Sequence, residues 1–294
     1  MDATEKPRVR RRSAVEYVMW ALCVLVFLAI AYSLVTNPRY EWDVVAEYFT
    51  AETVIDGVLL TIMLTFVTMF LGTVLGIVIA VLRSSPVMPV RVLAGAYISF
   101  FRGTPVLVQL IFWFNVAALY PDINIGIPFT DIGSEVDVNA LMTPIVAATV
   151  GLTLNQAAYM AEIVRGGFNS VPKGQIESAD ALGMSEWTKL RKVIIPQSMP
   201  TVIPATGNQL IGQFKETSLV SVLGVADLLQ SVQLIYSRTY ETIPLLIVAA
   251  LWYLVMTLAL GYPQSLIEKH YSKGTRAGTP VPLEPALAGA EEGR

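Results

Sequence analysis

This chain has one cysteine, one histidine and no nucleotide-binding motif, and each of these features excludes a kind of site. The single cysteine, Cys23, cannot form an intrachain disulfide. The single histidine, His270, cannot assemble the set of Cys and His ligands that a zinc site normally needs. The sequence contains no G-x-x-x-x-G-K-[ST] phosphate-binding loop, so any ATP that drives its work must be hydrolysed by another protein.

Apolar residues dominate what remains. Hydrophobic residues make up 54% of the chain, charged residues only 15%, and the mean hydropathy is +0.58, whereas a soluble domain would carry more charge. A membrane-crossing helix takes roughly 20 apolar residues, and six runs meet this length: 17–38, 57–82, 92–120 with Arg102 inside it, 138–161, 193–214 and 242–267. Because bare backbone is costly in lipid, we predict an all-α, polytopic membrane protein with six transmembrane helices.

The basic residues predict how these helices are oriented. Sixteen of the twenty Lys and Arg residues lie on one side of a six-span arrangement. They fall before the first span, between the second and third, between the fourth and fifth, and after the sixth. The positive-inside rule therefore places both termini and segment 170–196 in the cytoplasm.

The first apolar run admits a second interpretation, a cleaved signal peptide. It follows a basic start, and Ala29 and Ala31 have the spacing of a cleavage site. However, the run is longer than the usual apolar core of roughly 7–15 residues, and the small residues lie inside it. We favour an uncleaved transmembrane helix at 17–38.

Segment 170–196 is the one long polar helical stretch of the chain, and it predicts two helices joined by a tight turn. Ser170 is expected to cap the first helix, and Ser185 the second. Gly183 suits the left-handed conformation that ends a helix. Pro196 is expected to interrupt the second helix. Taken alone, such a segment is equally consistent with an ordinary connector.

Arg102 is a charged residue well inside an apolar run. Gly103 and Pro105 follow it and are expected to break the helix at this point. A charge in the membrane usually faces a polar cavity or a partner. Arg102 is therefore either an element of a gate or substrate path, or a structural arginine neutralised by Glu162.

A polar stripe runs along the fourth span. Asn155, Tyr159 and Glu162 share one helix face because their spacing is i, i+4, i+7. Such a stripe either lines a path or forms hydrogen bonds between helices. Asn208 and Gln213 form a comparable set on the fifth span. By contrast, Gly72 and Gly76 on the second span predict close helix packing and no chemistry.

Four motifs resemble those of one transporter family. ESADALG at 177–183, followed by IIP at 194–196, resembles the EAA loop in the membrane subunits of ABC importers. Three further segments are similar to signatures of the polar amino acid permeases within that group: FRGTPVLVQ at 101–109, AAYMAEIVRGG at 157–167 and KETSL at 215–219. The chain departs from the family pattern at Ser178, where the EAA triplet has alanine, in its extra first span and in a long outer segment, 119–139.

The resemblance implies a fold and a division of the chain. The expected fold is the type I permease fold of ABC importers, a five-helix core with one extra N-terminal span. The expected parts are a basic cytoplasmic tail at 1–16, the extra helix at 17–38, the core at 55–270 with coupling segment 170–196, and a disordered cytoplasmic tail at 274–294.

The resemblance also implies a function, the permease subunit of an ATP-driven importer of polar amino acids in the inner (plasma) membrane of a bacterium. Contact with the ATPase is then expected at Glu177, Ala179, Asp180, Ala181, Leu182 and Gly183. The substrate path is expected at Arg102, Thr104, Gln109, Asn155, Tyr159, Glu162, Asn208, Gln213, Lys215 and Ser218. No metal or cofactor is expected on this subunit, which would catalyse no covalent chemistry.

The implied partners are an ABC ATPase dimer that holds ATP and Mg²⁺, a second permease subunit that is identical or homologous, and an external amino-acid-binding protein. The amino acid and membrane lipid complete the set, and no nucleic acid is expected. A rival function is a self-contained secondary transporter or channel for a small polar solute, which would have no use for segment 170–196. A second rival, an intramembrane enzyme, is disfavoured by the single Cys and single His.

Overall fold

The computed structural model describes residues 14–126 and 133–272, so most of the tail 1–16 and all of the tail 274–294 lie outside the described residues. In chain order the α-helices are α1 (Ala14–Thr36), α2 (Trp42–Phe49), α3 (Glu52–Arg83), α4 (Met88–Gly103), α5 (Val106–Phe114), α6 (Val138–Leu141), α7 (Pro144–Asn169), α8 (Lys173–Ala181), α9 (Glu186–Lys189), α10 (Ile195–Glu216), α11 (Leu228–Thr239) and α12 (Thr242–Ser272). Short 3-10 turns lie at Pro38–Tyr40, Val116–Ala118 and Thr217–Leu223, and a π-helical turn lies at Leu190–Ile194.

Within the described ranges 14–126 and 133–272, six helical segments lie at the positions of the six predicted spans. Three of them, α1, α3 and α12, are each long and apolar enough to cross a membrane as one helix. Two more are bent pairs: α4 with α5, at 104°, and Glu186–Leu223 with α11, at 46°. The sixth is α7, which has 26 residues but is less apolar than the three single helices because it includes Asn155 and Gln156.

The central helix of the bundle is α7, which packs against α3, α4, α5 and α10. Its closest partner is α3, as Gly72 and Gly76 predict. A Cβ atom on Gly72 would lie 2.6 Å from the Gln156 side chain, and one on Gly76 would lie 2.6 Å from Cβ of Met160. In lipid, helices associate through such close van der Waals fit and through hydrogen bonds, since apolar burial alone favours neither partner over lipid.

Helix α1 stands apart from this bundle. None of its residues is buried, and it is apolar on all sides. A hydrogen bond joins the end of α1 to the start of α2: Trp42 Nε1–H donates to the carbonyl of Leu34 at 2.8 Å. A helix that is apolar all round suits a lipid environment.

Segment 119–139 contains the two strands found among the described residues of this otherwise helical chain. Strands β1 (Asp122–Gly126) and β2 (Gly133–Asp137) form an antiparallel hairpin in which Asp122 pairs with Asp137. The Asp137 carboxylate also caps α6, which accounts for the false start of the fourth predicted span at 138. The spanning helix itself begins at Pro144.

Candidate functional site

Segment 170–196 forms the predicted helix-turn-helix, with α8 and α9 on either side of Gly183. The φ angle of Gly183 is 67°, in the left-handed region that glycine enters without a steric penalty. Its N–H donates to the carbonyl of Asp180 at 2.9 Å, and the N–H of Met184 donates to the carbonyl of Ala179 at 3.1 Å. These bonds give the last turn of α8 the partners that a helix end otherwise lacks.

Of the two predicted caps in this segment, one is confirmed and one is wrong. Ser185 precedes α9, and its Oγ accepts from the N–H of Thr188 at 3.4 Å. Ser170 does not cap α8, because its Oγ donates to the carbonyl of Gly167 at 2.7 Å and so closes the end of α7. Pro172 occupies the cap position of α8 instead.

Pro196 does not interrupt the second helix, contrary to the prediction. The chain stays helical over 186–216, because the π-helical turn Leu190–Ile194 leads directly into α10. Pro196 lies in the first turn of α10, where a missing N–H is least costly. The result is a continuous helical segment, called here the rod 186–216, that runs from the turn at Gly183 into the membrane bundle and contains Pro200 and Pro204.

The predicted coupling residues form an exposed surface around this turn. Ala179 is buried, whereas the others are exposed: Glu177, Asp180, Ala181, Leu182 and Gly183. Leu182 is 80% exposed and Trp187, just beyond the turn, is 68% exposed. Large apolar side chains exposed on a polar segment are typical of a surface that another protein covers.

The third span is broken where Gly103 and Pro105 predict. Helix α4 ends at Gly103, and α5 begins beyond Pro105 at an angle of 104°. A break leaves carbonyls without helical partners. The carbonyl of Phe101 accepts instead from two amides, Gln109 Nε2 at 3.0 Å and Asn155 Nδ2 at 2.9 Å.

The side-chain amides at the break are buried and hydrogen-bonded inside the subunit. Asn155 Nδ2 also donates to Gln109 Oε1 at 3.1 Å, and Gln109 Nε2 donates to Thr104 Oγ1 at 2.8 Å. Gln213, on α10, donates to Thr68 on α3 at 3.0 Å. The side chains of Gln109, Asn155 and Gln213 are all buried. In this conformation these three residues form hydrogen bonds between helices, and their assignment to the substrate path stays a prediction.

A charged cluster lies beside the break. Arg102 Nη1 is 3.7 Å from Glu162 Oε2, and the Arg102 guanidinium lies 5.3 Å from the centre of the Tyr159 ring. Arg165 pairs more closely with the same carboxylate, at 2.6 and 3.0 Å. The Arg102 and Arg165 side chains remain 43% and 41% exposed. Two arginines thus share one carboxylate on a surface that a ligand can reach.

The remaining predicted path residues lie on α10 and the 3-10 turn that follows it. Asn208 is exposed and donates to Glu268 Oε1 at 3.3 Å. Lys215 is exposed, and Ser218 Oγ donates to the Lys215 carbonyl at 2.7 Å. Asn208 and Lys215 are exposed, in contrast to the buried amides, and a ligand or a partner can reach them.

Two polar residues at these sites give little signal in the sequence. Lys189 Nζ lies 2.7 Å from Asp180 and 2.8 Å from Glu186. The spacing to Glu186 is i, i+3 and could have been noticed, whereas no helical spacing links Lys189 to Asp180. Gln264 donates to the carbonyl of Pro204 at 2.8 Å, a contact between α12 and α10 that only the packed structure reveals.

Comparison with known proteins identifies the class. Residues 72–273 match the family described as the binding-protein-dependent transport system inner membrane component. The match covers more than half of the chain, and the chain belongs to this family. It is therefore an inner-membrane permease component of an ABC importer, as the resemblance predicted.

Two similar proteins are both permeases of amino acid transport systems. The arginine transport system permease protein ArgU of Corynebacterium glutamicum is 40% identical over 278 residues, which are 92% of this chain and 86% of that protein. The probable amino-acid ABC transporter permease protein YckA of Bacillus subtilis is 37% identical over 219 residues, 74% of this chain and 89% of that protein.

Solved structures agree with this assignment. An amino acid ABC transporter crystallised with histidines matches with a TM-score of 0.63 and 36% identity, over 74% of this chain and 94% of that one. The MetNI methionine ABC transporter in an inward-facing conformation matches with a TM-score of 0.61 over 76% of this chain and 99% of that one. At 19% identity, the second likeness shows the fold alone.

Proposed function

We propose that this protein is the permease subunit of an ATP-driven importer for polar amino acids, in which it forms the transmembrane path and couples it to a separate ATPase. The observation that supports coupling is the exposed helix-turn-helix at 173–189, which joins two helices of the membrane bundle. The permease core is the region 55–270, and α1 is an addition to it. The subunit itself makes and breaks no covalent bond.

The proposal requires partners. An ABC ATPase dimer binds ATP and Mg²⁺ and contacts the surface around Gly183. A second permease subunit, identical or homologous, completes the path within the lipid. An external amino-acid-binding protein delivers the substrate.

Motion at the turn would reach the membrane through the rod 186–216. On this rod, Gln209 donates to Gln156 Oε1 at 3.0 Å, and Gln213 donates to Thr68 at 3.0 Å. Displacing the rod therefore shifts the contacts of α10 with α7 and α3. ATP binding would draw the two coupling segments together and open the cavity outward, and hydrolysis would reset the inward state.

The charged cluster and the relatives support the proposed substrate class. Arg102 and Arg165 offer cations and Glu162 offers an anion, so the two ends of a zwitterion both find partners there. Asn208, Lys215 and Ser218 add donors farther along α10. Because the ArgU relative is named for arginine transport, cationic amino acids come first in a test.

The test is reconstitution of the complete system in proteoliposomes, with ATPase activity and uptake measured across a panel of amino acids. We expect the permease to co-purify with an ATPase, and one or a few polar amino acids to stimulate ATP hydrolysis through the binding protein. Transport by the subunit without any ATPase would instead support a secondary transporter. Stimulation by a sugar or peptide alone would contradict the amino acid assignment.

We also propose that both termini are cytoplasmic, on the strength of the charge distribution. In a Cys23→Ser background, Asp122→Cys in the outer hairpin should react with an impermeant thiol reagent in intact cells. Ser178→Cys, exposed on α8, should react only after the membrane is opened. The reverse pattern would overturn the orientation.

A further inference from the structure

Lys189 is the one lysine in the coupling segment whose side chain is almost enclosed. Its side chain is 9% exposed, whereas its neighbour Lys192 is exposed. The aliphatic stem is covered and the ammonium group is held 2.7 Å from Asp180 Oδ1. A lysine rarely gives up solvent in this way unless it is paired.

The two acidic partners of Lys189 are not equivalent. Glu186 lies one turn away on the same helix and is 87% exposed, so this pair resembles an ordinary surface pair of small effect. Asp180 lies on the other helix, across the Gly183 turn, and is 53% exposed. The contact with Asp180 therefore joins α8 to α9 in a way that no hydrogen bond within one helix can.

The Lys189 ammonium group also lies at the C-terminal end of α8, which strengthens the contact between α8 and α9. Asp180 lies in the last turn of α8, where the carbonyl groups of the helix end carry partial negative charge. A cation placed there is favourable for the helix as well as for the carboxylate. Leu182 and Gly183, between the two anchored residues, are the exposed tip of the turn.

We propose that Lys189 is a positioning residue that fixes the angle between α8 and α9, so that the tip at Leu182–Gly183 moves with the rod 186–216 as one rigid body. This inference rests on the proposed coupling function. Without the pair, the turn would flex under load from the ATPase, and part of the motion would be lost before it reached α10.

The experiment uses the complete reconstituted transporter with its binding protein, and compares amino acid taken up per ATP hydrolysed. We expect Lys189→Ala to lower this ratio roughly fivefold, within the range by which residues along a coupled element modulate coupling. Basal ATPase activity and the amount of co-purified ATPase should stay unchanged. Lys192→Ala is the matched control, because it removes an exposed lysine from the same segment, and its ratio should equal that of the wild type.

A charge exchange separates positioning from simple loss of packing. Asp180→Lys combined with Lys189→Asp restores opposite charges across the turn and still places a cation in the last turn of α8. We expect it to recover most of the ratio, whereas Asp180→Lys alone should not. If Lys189→Ala keeps the wild-type ratio, or if the exchange fails to recover it, the positioning role is overturned.

A reference arm distinguishes failure of this inference from failure of the proposed function. Gly183→Asp places a charge at the tip itself. If Gly183→Asp uncouples transport while Lys189→Ala does not, the segment is a coupling element and only the role of Lys189 is wrong. If neither variant changes the ratio, coupling through this segment is wrong as a whole.

Discussion

The turn around Gly183 and the break in the third span are held by contacts of very different sequence separation. Around Gly183, the turn is held by pairs at most nine positions apart, Lys189 with Asp180 being the longest. At the break, Asn155 reaches Phe101 across 54 positions and Gln109 across 46. Contacts of the first kind join residues that are close in the sequence, whereas those of the second depend on how whole helices pack.

The two regions also differ in which side chains they leave exposed. The segment exposes the large apolar side chains of Leu182 and Trp187, on the surface where we propose that the ATPase binds. At the break, the amide donors of Gln109 and Asn155 are paired inside the subunit, whereas Arg102 and Arg165 in the charged cluster beside it are partly exposed. A change in the segment should therefore damage coupling and spare stability. A change at the break, or at the helix contacts that support it, should damage stability as well.

The largest effect is expected at the tip of the segment. Gly183→Asp should reduce uptake to background while the subunit is still inserted and its ATPase still co-purifies. Apart from its chain neighbours, no atom of the described residues lies within 4 Å of the added Cβ. The damage would therefore come from the approaching partner and from the left-handed backbone, which costs an L residue about 1–2 kcal/mol.

Gly174→Asp is the control for this variant. Gly174 lies in the first turn of α8, also in open space, where an acidic residue favours the helix. Uptake of labelled amino acid at matched membrane levels should be close to wild type. Normal uptake by Gly183→Asp would show that the segment is only a connector.

A smaller loss is expected in the charged cluster. Arg102→Ala removes the pair with Glu162 and the contact with the Tyr159 ring, which together contribute on the order of 1–2 kcal/mol. Uptake should fall about tenfold. Arg91→Ala, an exposed arginine near the start of α4, should leave uptake unchanged. Equal uptake by the two variants at matched expression would return Arg102 to a purely structural role.

The sequence predicts the coupling segment well because its turn is local. The left-handed Gly183 and the cap at Ser185 follow from residue type alone, and both are confirmed. The predicted cap at Ser170 and the predicted interruption at Pro196 were wrong, each because of the local structure next to it. Ser170 instead bonds back to α7, and a π-helical turn carries the helix through Pro196.

For the polar residues of the membrane helices, the sequence predicts which of them share a helix face but not what that face contacts. Asn155 and Glu162 lie seven positions apart on one face of α7, yet one is buried against the break and the other is open beside it. Helical periodicity gives a direction around one helix axis and says nothing about the partner found there. Only the packing of α3, α4 and α5 on α7 separates the two roles.

Helices α3 and α7 pack closely at Gly76, and disruption of this contact should lower stability moderately. In Gly76→Ala, the new Cβ would lie 2.6 Å from Met160 Cβ and 2.8 Å from the carbonyl of Ala157. The helices must move apart, which typically costs about 1–3 kcal/mol. Gly212→Ala, in open space on α10, should be neutral or slightly stabilising. Thermal unfolding of the purified transporter distinguishes the two, and equal melting temperatures would contradict tight packing at Gly76.

The smallest effect is expected at the break itself. Asn155→Leu removes the donor shared by Phe101 and Gln109. The carbonyl of Phe101 keeps its bond from Gln109 Nε2, whereas Gln109 Oε1 loses its partner. The change also removes Asn155 Oδ1, a buried oxygen that has no hydrogen-bond partner, which offsets part of the loss. The net destabilisation should be about 1 kcal/mol, in keeping with hydrogen bonds between membrane helices.

Asn115→Leu is the matched control for Asn155→Leu, because Asn115 is exposed and bonds only within its own turn, to the carbonyl of Ile111. We expect the melting temperature of the purified transporter to fall with Asn155→Leu and to stay unchanged with Asn115→Leu. If the break relaxes, uptake should also decline modestly, because Arg102 is next to Phe101. A loss of uptake as complete as that of Gly183→Asp, without any loss of stability, would mean that Asn155 meets the substrate in another conformation, and the distinction between the closed amides and the open cluster would fail.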